Sequence, residues 1–234
     1  MAERTSTIVP PAPPLEAVTF DLDGLLFNTE ELYQEVGGHI LARRGKQFTD
    51  ELIDMMMGRK SNVAYGLMIE YHQLDATPEQ LAAEAAEIFG GILPEKLRPM
   101  PGLLDLLDAL EAAGIPKGIA TSSGRGFVEL VLGISKLGPR FSFVLTSEDI
   151  EHGKPAPDVY LLAAARHQVR PQRMMVLEDS HIGCAAAVAA EAYAVAVPHG
   201  RSLQHQFPGA RFVANTLADR RIYQALRLSG GDTC

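Results

Sequence analysis

The sequence predicts an α/β fold: a doubly wound parallel sheet, interrupted after its first strand by an all-helical segment. Three observations carry this expectation. Short apolar runs alternate with helical patterns over most of the chain, which builds a parallel sheet covered on both faces. No strand pattern occurs between Glu30 and Glu95. Polar clusters stand at the carboxyl ends of the expected strands, where open parallel sheets bind ligands.

Taken in order, Met1–Pro14 is polar and then proline-rich. It lacks the apolar centre of a signal peptide and reads as a flexible tail. Glu16–Phe20 is the first strand and runs into Asp21. Helical patterns follow at Glu31–Arg44, Ser61–His72 and Pro78–Phe89. The last has Thr77 as N-cap, Pro78 in the first turn and Gln80 at the third position, with Gly90-Gly91 as its end. Leu103–Ala113 is an amphipathic helix closed by Gly114. Beyond it alternate a strand at Ile115–Ala120, a helix at Phe127–Leu132, a strand at Phe141–Leu145 and a helix at Asp158–His167. Then come a strand at Met174–Leu177, a helix at Ile182–Ala190, strands at Tyr193–Val197 and Arg211–Val213, and a closing helix at Asp219–Leu228. The expected organisation is a tail over 1–14, a core over 15–28 and 96–234, and a helical insertion over 29–95.

Composition narrows the function. A formal net charge of −8 without a basic cluster excludes tracking a nucleic-acid backbone. The longest apolar run, Cys184–Val197, contains Glu191 and stops at Pro198, so no membrane span is expected. Two cysteines without metal-type spacing, Cys184 and Cys234, fit a reducing, cytoplasmic setting. The expected state is a monomer or weak dimer.

The chemistry lies in the polar clusters. An acid after a strand is often only a turn residue. Asp21-Leu22-Asp23-Gly24, however, sets two carboxylates two residues apart, with a glycine that permits a turn. One carboxylate can attack phosphorus, and a second can protonate the leaving oxygen and then deprotonate water. Glu178 and Asp179 add two more acids, and four acids in one cleft repel unless a cation joins them. Mg²⁺ suits such oxygen donors. Asp179 or Ser180 also suits the N-cap of the following helix. Lys154, stiffened by Pro155 and Pro157, can neutralise the nucleophile and the phosphoryl group. Thr121, Ser122 and Ser123 can donate hydrogen bonds to phosphate oxygens.

Together these stretches resemble the haloacid dehalogenase superfamily. Phe20–Gly24, Thr121-Ser122, Lys154-Pro155 and Glu178-Asp179 look like its four motifs, in order. Gly153–Asp158 is close to the wording of its β-phosphoglucomutase-like branch. The resemblance implies a Rossmann-like core with a helical cap. It implies that Asp21 is nucleophile and Mg²⁺ ligand, and that Asp23 is the general acid/base with its carbonyl on the metal. Asp179 is then a direct ligand, and Glu178 a ligand or the partner of a metal-bound water. Lys154 and Thr121 hold the phosphoryl group beside Ser122, with Gly24 also assigned to phosphate binding. Asp23 argues against the dehalogenase and phosphonate-cleaving branches, which lack that aspartate. Two departures occur: Asn28-Thr29 stands for the usual Asp-Thr, and Glu191-Ala192 replaces a glycine after the alanine-rich helix.

Substrate choice falls to the cap. Its loop Met57-Gly58-Arg59-Lys60-Ser61 makes Arg59 a candidate for the leaving group, while Lys60 reads as solvated and Ser61 as an N-cap. Met55-Met56-Met57 reads as cap core. The expectation is a phosphatase for a sugar phosphate or a nucleoside monophosphate-like compound, with some likeness to pseudouridine-5'-phosphatase-like members. A phosphosugar mutase and a catalytically silent binding protein are the alternatives.

Overall fold

The computed structural model describes residues 8, 10–57 and 59–230. Cys234, Gly58 and most of the expected tail lie outside them. The described residues of that tail rest on the core, where Arg173 Nε donates to the Pro14 carbonyl at 2.5 Å and Arg227 Nη2 to that of Pro11 at 3.4 Å.

Six parallel strands form one sheet: β1 (Ala17–Phe20), β2 (Lys117–Ala120), β3 (Val144–Leu145), β4 (Met174–Glu178), β5 (Tyr193–Ala196) and β6 (Phe212–Val213). Their order is β3-β2-β1-β4-β5-β6, a Rossmann-like doubly wound arrangement. Winding proceeds outward from β1 to β3 and then returns to β4 on the other side of β1. The switch point lies between β1 and β4, with Phe20 paired to Leu177. The central strands are apolar because both faces are covered. Val18 and Phe20 enter one core cluster and Ala17 the other, as the two-residue period requires.

Between β1 and β2 lie five helices: α1 (Thr29–Ala42), α2 (Asp50–Met56), α3 (Ser61–His72), α4 (Pro78–Lys96) and α5 (Leu103–Ala112). The first four form the helical insertion. Leu32, Val36, Ile40, Met68, Leu81 and Leu93 join the same apolar cluster as Val18 and Phe20, so the insertion is fastened to the sheet by burial. The remaining helices, α6 (Arg125–Ser135), α7 (Asp158–His167), α8 (His181–Ala189) and α9 (Arg220–Leu226), flank the sheet.

The structure differs from expectation at several places. α4 does not stop at Gly90-Gly91 but continues through Pro94 to Lys96. Each interior glycine costs about 1 kcal/mol, but Leu81, Ala85, Phe89 and Leu93 form one buried stripe that outweighs it. The capping box of Thr77 and Gln80 is present. α2 is a helix that periodicity did not disclose, because seven residues are too few to show it. Thr49 caps it by accepting from Leu52 N. β3 is only Val144–Leu145, since Phe141 closes a 3-10 turn. After α8, Glu191 itself takes the left-handed conformation, with φ of 61°. The glycine is gone, but the turn that favours it is kept.

Candidate active site

Asp21 follows β1, Thr121 follows β2, Glu178 ends β4 and Asp179 follows it, so the switch point gathers them. Asp21, Asp23, Thr121, Ser122, Ser123, Lys154 and Asp179 line one cavity of about 140 Å³ between the sheet and the insertion. Arg59 lines it from the opposite side, exposed, its Nε tied to the Met55 carbonyl at 2.7 Å.

Lys154 organises the floor. Its Nζ donates to Asp21 Oδ1 at 2.5 Å, to Glu178 Oε1 at 2.6 Å and to the Ala120 carbonyl at 3.1 Å. The residue is only 8% exposed. Glu178 is saturated. Oε1 takes Lys154 and Tyr160 Oη (2.5 Å), and Oε2 takes Ser180 N (3.3 Å) and Oγ (3.0 Å). Those donors fill the four lone-pair positions of a carboxylate. Asp179 takes no hydrogen bond among the described residues.

Asp23 is held differently. Thr29 Oγ1 donates to its Oδ1 at 2.8 Å, and Ser123 Oγ and Thr121 Oγ1 donate to its Oδ2 at 2.6 and 3.1 Å. Ser123, rather than Ser122, makes this bond, because the Thr121 hydroxyl accepts from Ser123 N at 3.0 Å and turns that residue inward. Thr29 and Tyr160 were not among the assigned residues, and Ser123 was expected on phosphate oxygens rather than on Asp23. Their types are common, and only the fold brings them to these carboxylates.

Gly24 serves the turn. Its φ is +74°, and any side chain there would overlap the Asp179 carboxylate. Its N–H goes to the Phe27 carbonyl at 3.0 Å and Thr29 Oγ1 at 3.3 Å, and it is not among the cavity-lining residues. Gly183 is a second close approach, since a Cβ there would overlap Glu178. Ser180 caps α8 through Gly183 N at 3.0 Å. Lys60 is not a solvated residue: it donates to the carbonyls of Ile150 and Glu151, both at 3.3 Å, joining the insertion to the loop that carries Lys154. The backbone position of Lys60, not Ser61, is the cap of α3, without a side-chain bond. Met56 and Met57 line the cavity rather than only filling the insertion.

The electrostatics favour a cation. Burial pushes the Asp21 carboxyl up to about 8, against the pull of Lys154 and with Glu178 and Asp23 adding to the rise. Burial also raises Asp179 well above the usual range, helped by Asp21 and Glu178. Asp23 is raised by burial, with the Ser123, Thr29 and Thr121 hydroxyls opposing. One lysine does not balance these acids. Asp21, Glu178 and Asp179 each offer an oxygen within 4.8 Å of the others, a donor set suited to a hard divalent cation. Distance alone includes Glu178, but its filled lone pairs leave Asp21 and Asp179 as the free donors.

Residues 18–197 match the family model of haloacid dehalogenase-like hydrolases. The chain is 35% identical over 206 residues to a probable pseudouridine-5'-phosphatase of Drosophila melanogaster, covering 86% of this chain and 89% of that one. It is 31% identical over 178 residues to a fructose-1-phosphate phosphatase of Escherichia coli, covering 76% and 94%. The crystal structure of CbbY from Rhodobacter sphaeroides in complex with phosphate aligns with a TM-score of 0.78 at 25% identity, over 88% of this chain and 96% of that one. With phosphatases on this scale of similarity, the chain is a phosphoric monoester hydrolase. It belongs to the haloacid dehalogenase-like hydrolase family.

Proposed function

We propose that the protein is a Mg²⁺-dependent phosphatase of a small phosphorylated metabolite, working through an aspartyl-phosphate on Asp21 in a reducing cytoplasm. The observation that carries this reading is the unequal holding of two neighbouring carboxylates: Asp21 is paired to a cation, Lys154, and Asp23 to three hydroxyls. Lys154 pulls Asp21 towards the attacking anion against its burial, while burial favours a proton on Asp23 and the three hydroxyls orient its carboxyl.

In this reading an Asp21 oxygen attacks phosphorus and the ester P–O bond breaks. Asp23 gives its proton to the departing oxygen. Asp23 then takes a proton from water, the water oxygen attacks phosphorus, and Asp21 is released with inorganic phosphate. Lys154 neutralises charge on Asp21 and on the phosphoryl oxygens. Asp21, Asp179 and the Asp23 carbonyl would hold Mg²⁺, which would further neutralise the phosphoryl charge. Glu178 positions Lys154. Residues 29–95 act as a cap that shields the site from water and selects the substrate.

The test is phosphate release from a panel of phosphorylated metabolites, with and without EDTA. Asp21→Asn loses turnover. Asp23→Asn slows it by about 10²–10⁴-fold. Wild-type rates in Asp21→Asn end the mechanism. Conversion of β-glucose 1-phosphate to glucose 6-phosphate without free phosphate replaces the phosphatase with a mutase.

A further inference from the structure

One face of α1 grips the general acid. Thr29 opens the helix and Tyr33 follows it by four residues, so the two share a face, about 6 Å apart along the axis. Thr29 Oγ1 donates to Asp23 Oδ1 at 2.8 Å. Tyr33 reaches the other oxygen through an intermediary: its Oη lies 3.2 Å from Ser123 Oγ, which lies 2.6 Å from Asp23 Oδ2. A hydroxyl has one proton to give. Ser123 spends its own on Asp23, so Tyr33 is the donor to Ser123. Burial, with Asp23 adding to it, holds the Tyr33 phenol well above its ordinary pKa, so it keeps the proton that it donates. The ring is fixed between the insertion and the core, its centroid 4.8 Å from that of Phe89 on α4 and 5.2 Å from that of Phe127 on α6.

We propose that Tyr33 is a positioning residue for proton transfer: it holds Ser123 on Asp23 Oδ2 and so leaves Oδ1 as the oxygen that hands a proton to the leaving group. The role rests on the aspartyl-phosphate reading above. A carboxylate offers four lone-pair positions, two on each oxygen. Both on Oδ2 are taken, by Ser123 and by Thr121. Oδ1 takes Thr29 alone among the described residues. The open position is therefore on Oδ1, and the transferred proton sits there. The ester P–O bond breaks, its electron pair stays on the departing oxygen, and that pair takes the proton as the Oδ1–H bond breaks. Without the Tyr33 hydroxyl, Ser123 loses its donor and can rotate off Oδ2. The Asp23 carboxyl is then free to turn, and its proton spreads over two oxygens instead of one.

Tyr33→Phe removes the hydroxyl and keeps the ring between Phe89 and Phe127. The variant is compared with wild type on two esters in the presence of Mg²⁺. One is p-nitrophenyl phosphate, whose leaving oxygen is stable without a proton. The other is the alkyl phosphate of the metabolite panel that the wild type hydrolyses fastest, whose leaving oxygen needs one. The measured quantity is kcat/KM, which covers the steps up to departure of the leaving group. A fall of about tenfold is expected for the alkyl ester, the worth of one hydrogen bond. The aryl ester is expected to fall by less than about twofold. In a Ser123→Ala background, Tyr33→Phe is expected to change nothing more, because the two hydroxyls act in series. Both esters are read on one preparation, so any loss of folded protein cancels in their ratio. An unchanged ratio, or full additivity with Ser123→Ala, overturns the role of Tyr33. Wild-type protein that hydrolyses neither ester overturns the phosphatase reading, and this role with it.

Discussion

At the scale of single residues, two acids that stand next to each other in the chain do different work. Glu178 has every lone pair filled by Lys154, Tyr160 and Ser180. Asp179 faces Asp21 and Glu178 in a buried site without a donor of its own, and both raise its pKa. In EDTA, Asp179→Asn is expected to melt above the wild type, because one of several repelling buried charges is gone. Saturating Mg²⁺ then raises the wild-type stability, by about 2.7 kcal/mol at a hundred times its Kd, and leaves the variant nearly unmoved. Calorimetric melting with and without Mg²⁺ decides it, and a variant less stable than wild type in EDTA would show that the acids are not in conflict. Glu178 and Asp179 were both legible as acids at a strand end. Which of them keeps free oxygens was not, because that depends on Tyr160 and Lys154, both remote in sequence.

At the scale of elements, the joint between core and insertion carries a side-chain clamp. Asn28 Oδ1 accepts from Arg98 N at 2.7 Å, and Asn28 Nδ2 donates to the Lys96 carbonyl at 3.2 Å. The two connecting segments are thus clamped by an amide that both donates and accepts. An aspartate accepts only, so Asn28→Asp sets a carboxylate against a carbonyl. A loss of about 1 kcal/mol is expected, with faster amide exchange at residues 96–98, and unchanged exchange there would remove the clamp. A second tie is Arg201, which reaches Asp50 Oδ1 at 2.9 Å and Asp54 Oδ1 at 3.1 Å on α2. Its partners are exposed, so Arg201→Ala should cost less than about 1 kcal/mol of stability. If the pair holds the insertion closed, the variant's KM loses the ionic-strength dependence of the wild type, and identical salt profiles would argue against it. The cap of α4 was legible because Thr77, Pro78 and Gln80 act locally. The extension of that helix past Gly90 was not, because burial of Phe89 and Leu93 decides it.

At the scale of the whole molecule, acid stability has an identifiable contributor. His167 lies against Phe143, with ring centroids 4.6 Å apart, and its Nε2 is buried without a partner among the described residues. Burial lowers its pKa from 6.5 to about 4, so the folded protein keeps the ring neutral. As pH falls from 6.5 towards 4, the unfolded chain takes up this proton and the folded one does not, so stability is lost across that window. His167→Gln should flatten the corresponding part of a urea-denaturation series, and an unchanged slope would exclude His167 as its source. No helix among the described residues is long and apolar enough to cross a membrane.

The sequence by itself determined the order of strands and helices, the helical interruption and the acids at the strand ends. These follow from local pattern: apolar runs, caps, and the place where a buried strand meets solvent. The resemblance legible in the sequence rests on the same short stretches, while the family model matches residues 18–197 as a whole. Tertiary structure alone decided that Ser123 and Thr29 hold Asp23, and that Glu178 is saturated while Asp179 is not. Each of these depends on which side chains from distant segments arrive at one point, and packing sets that arrangement.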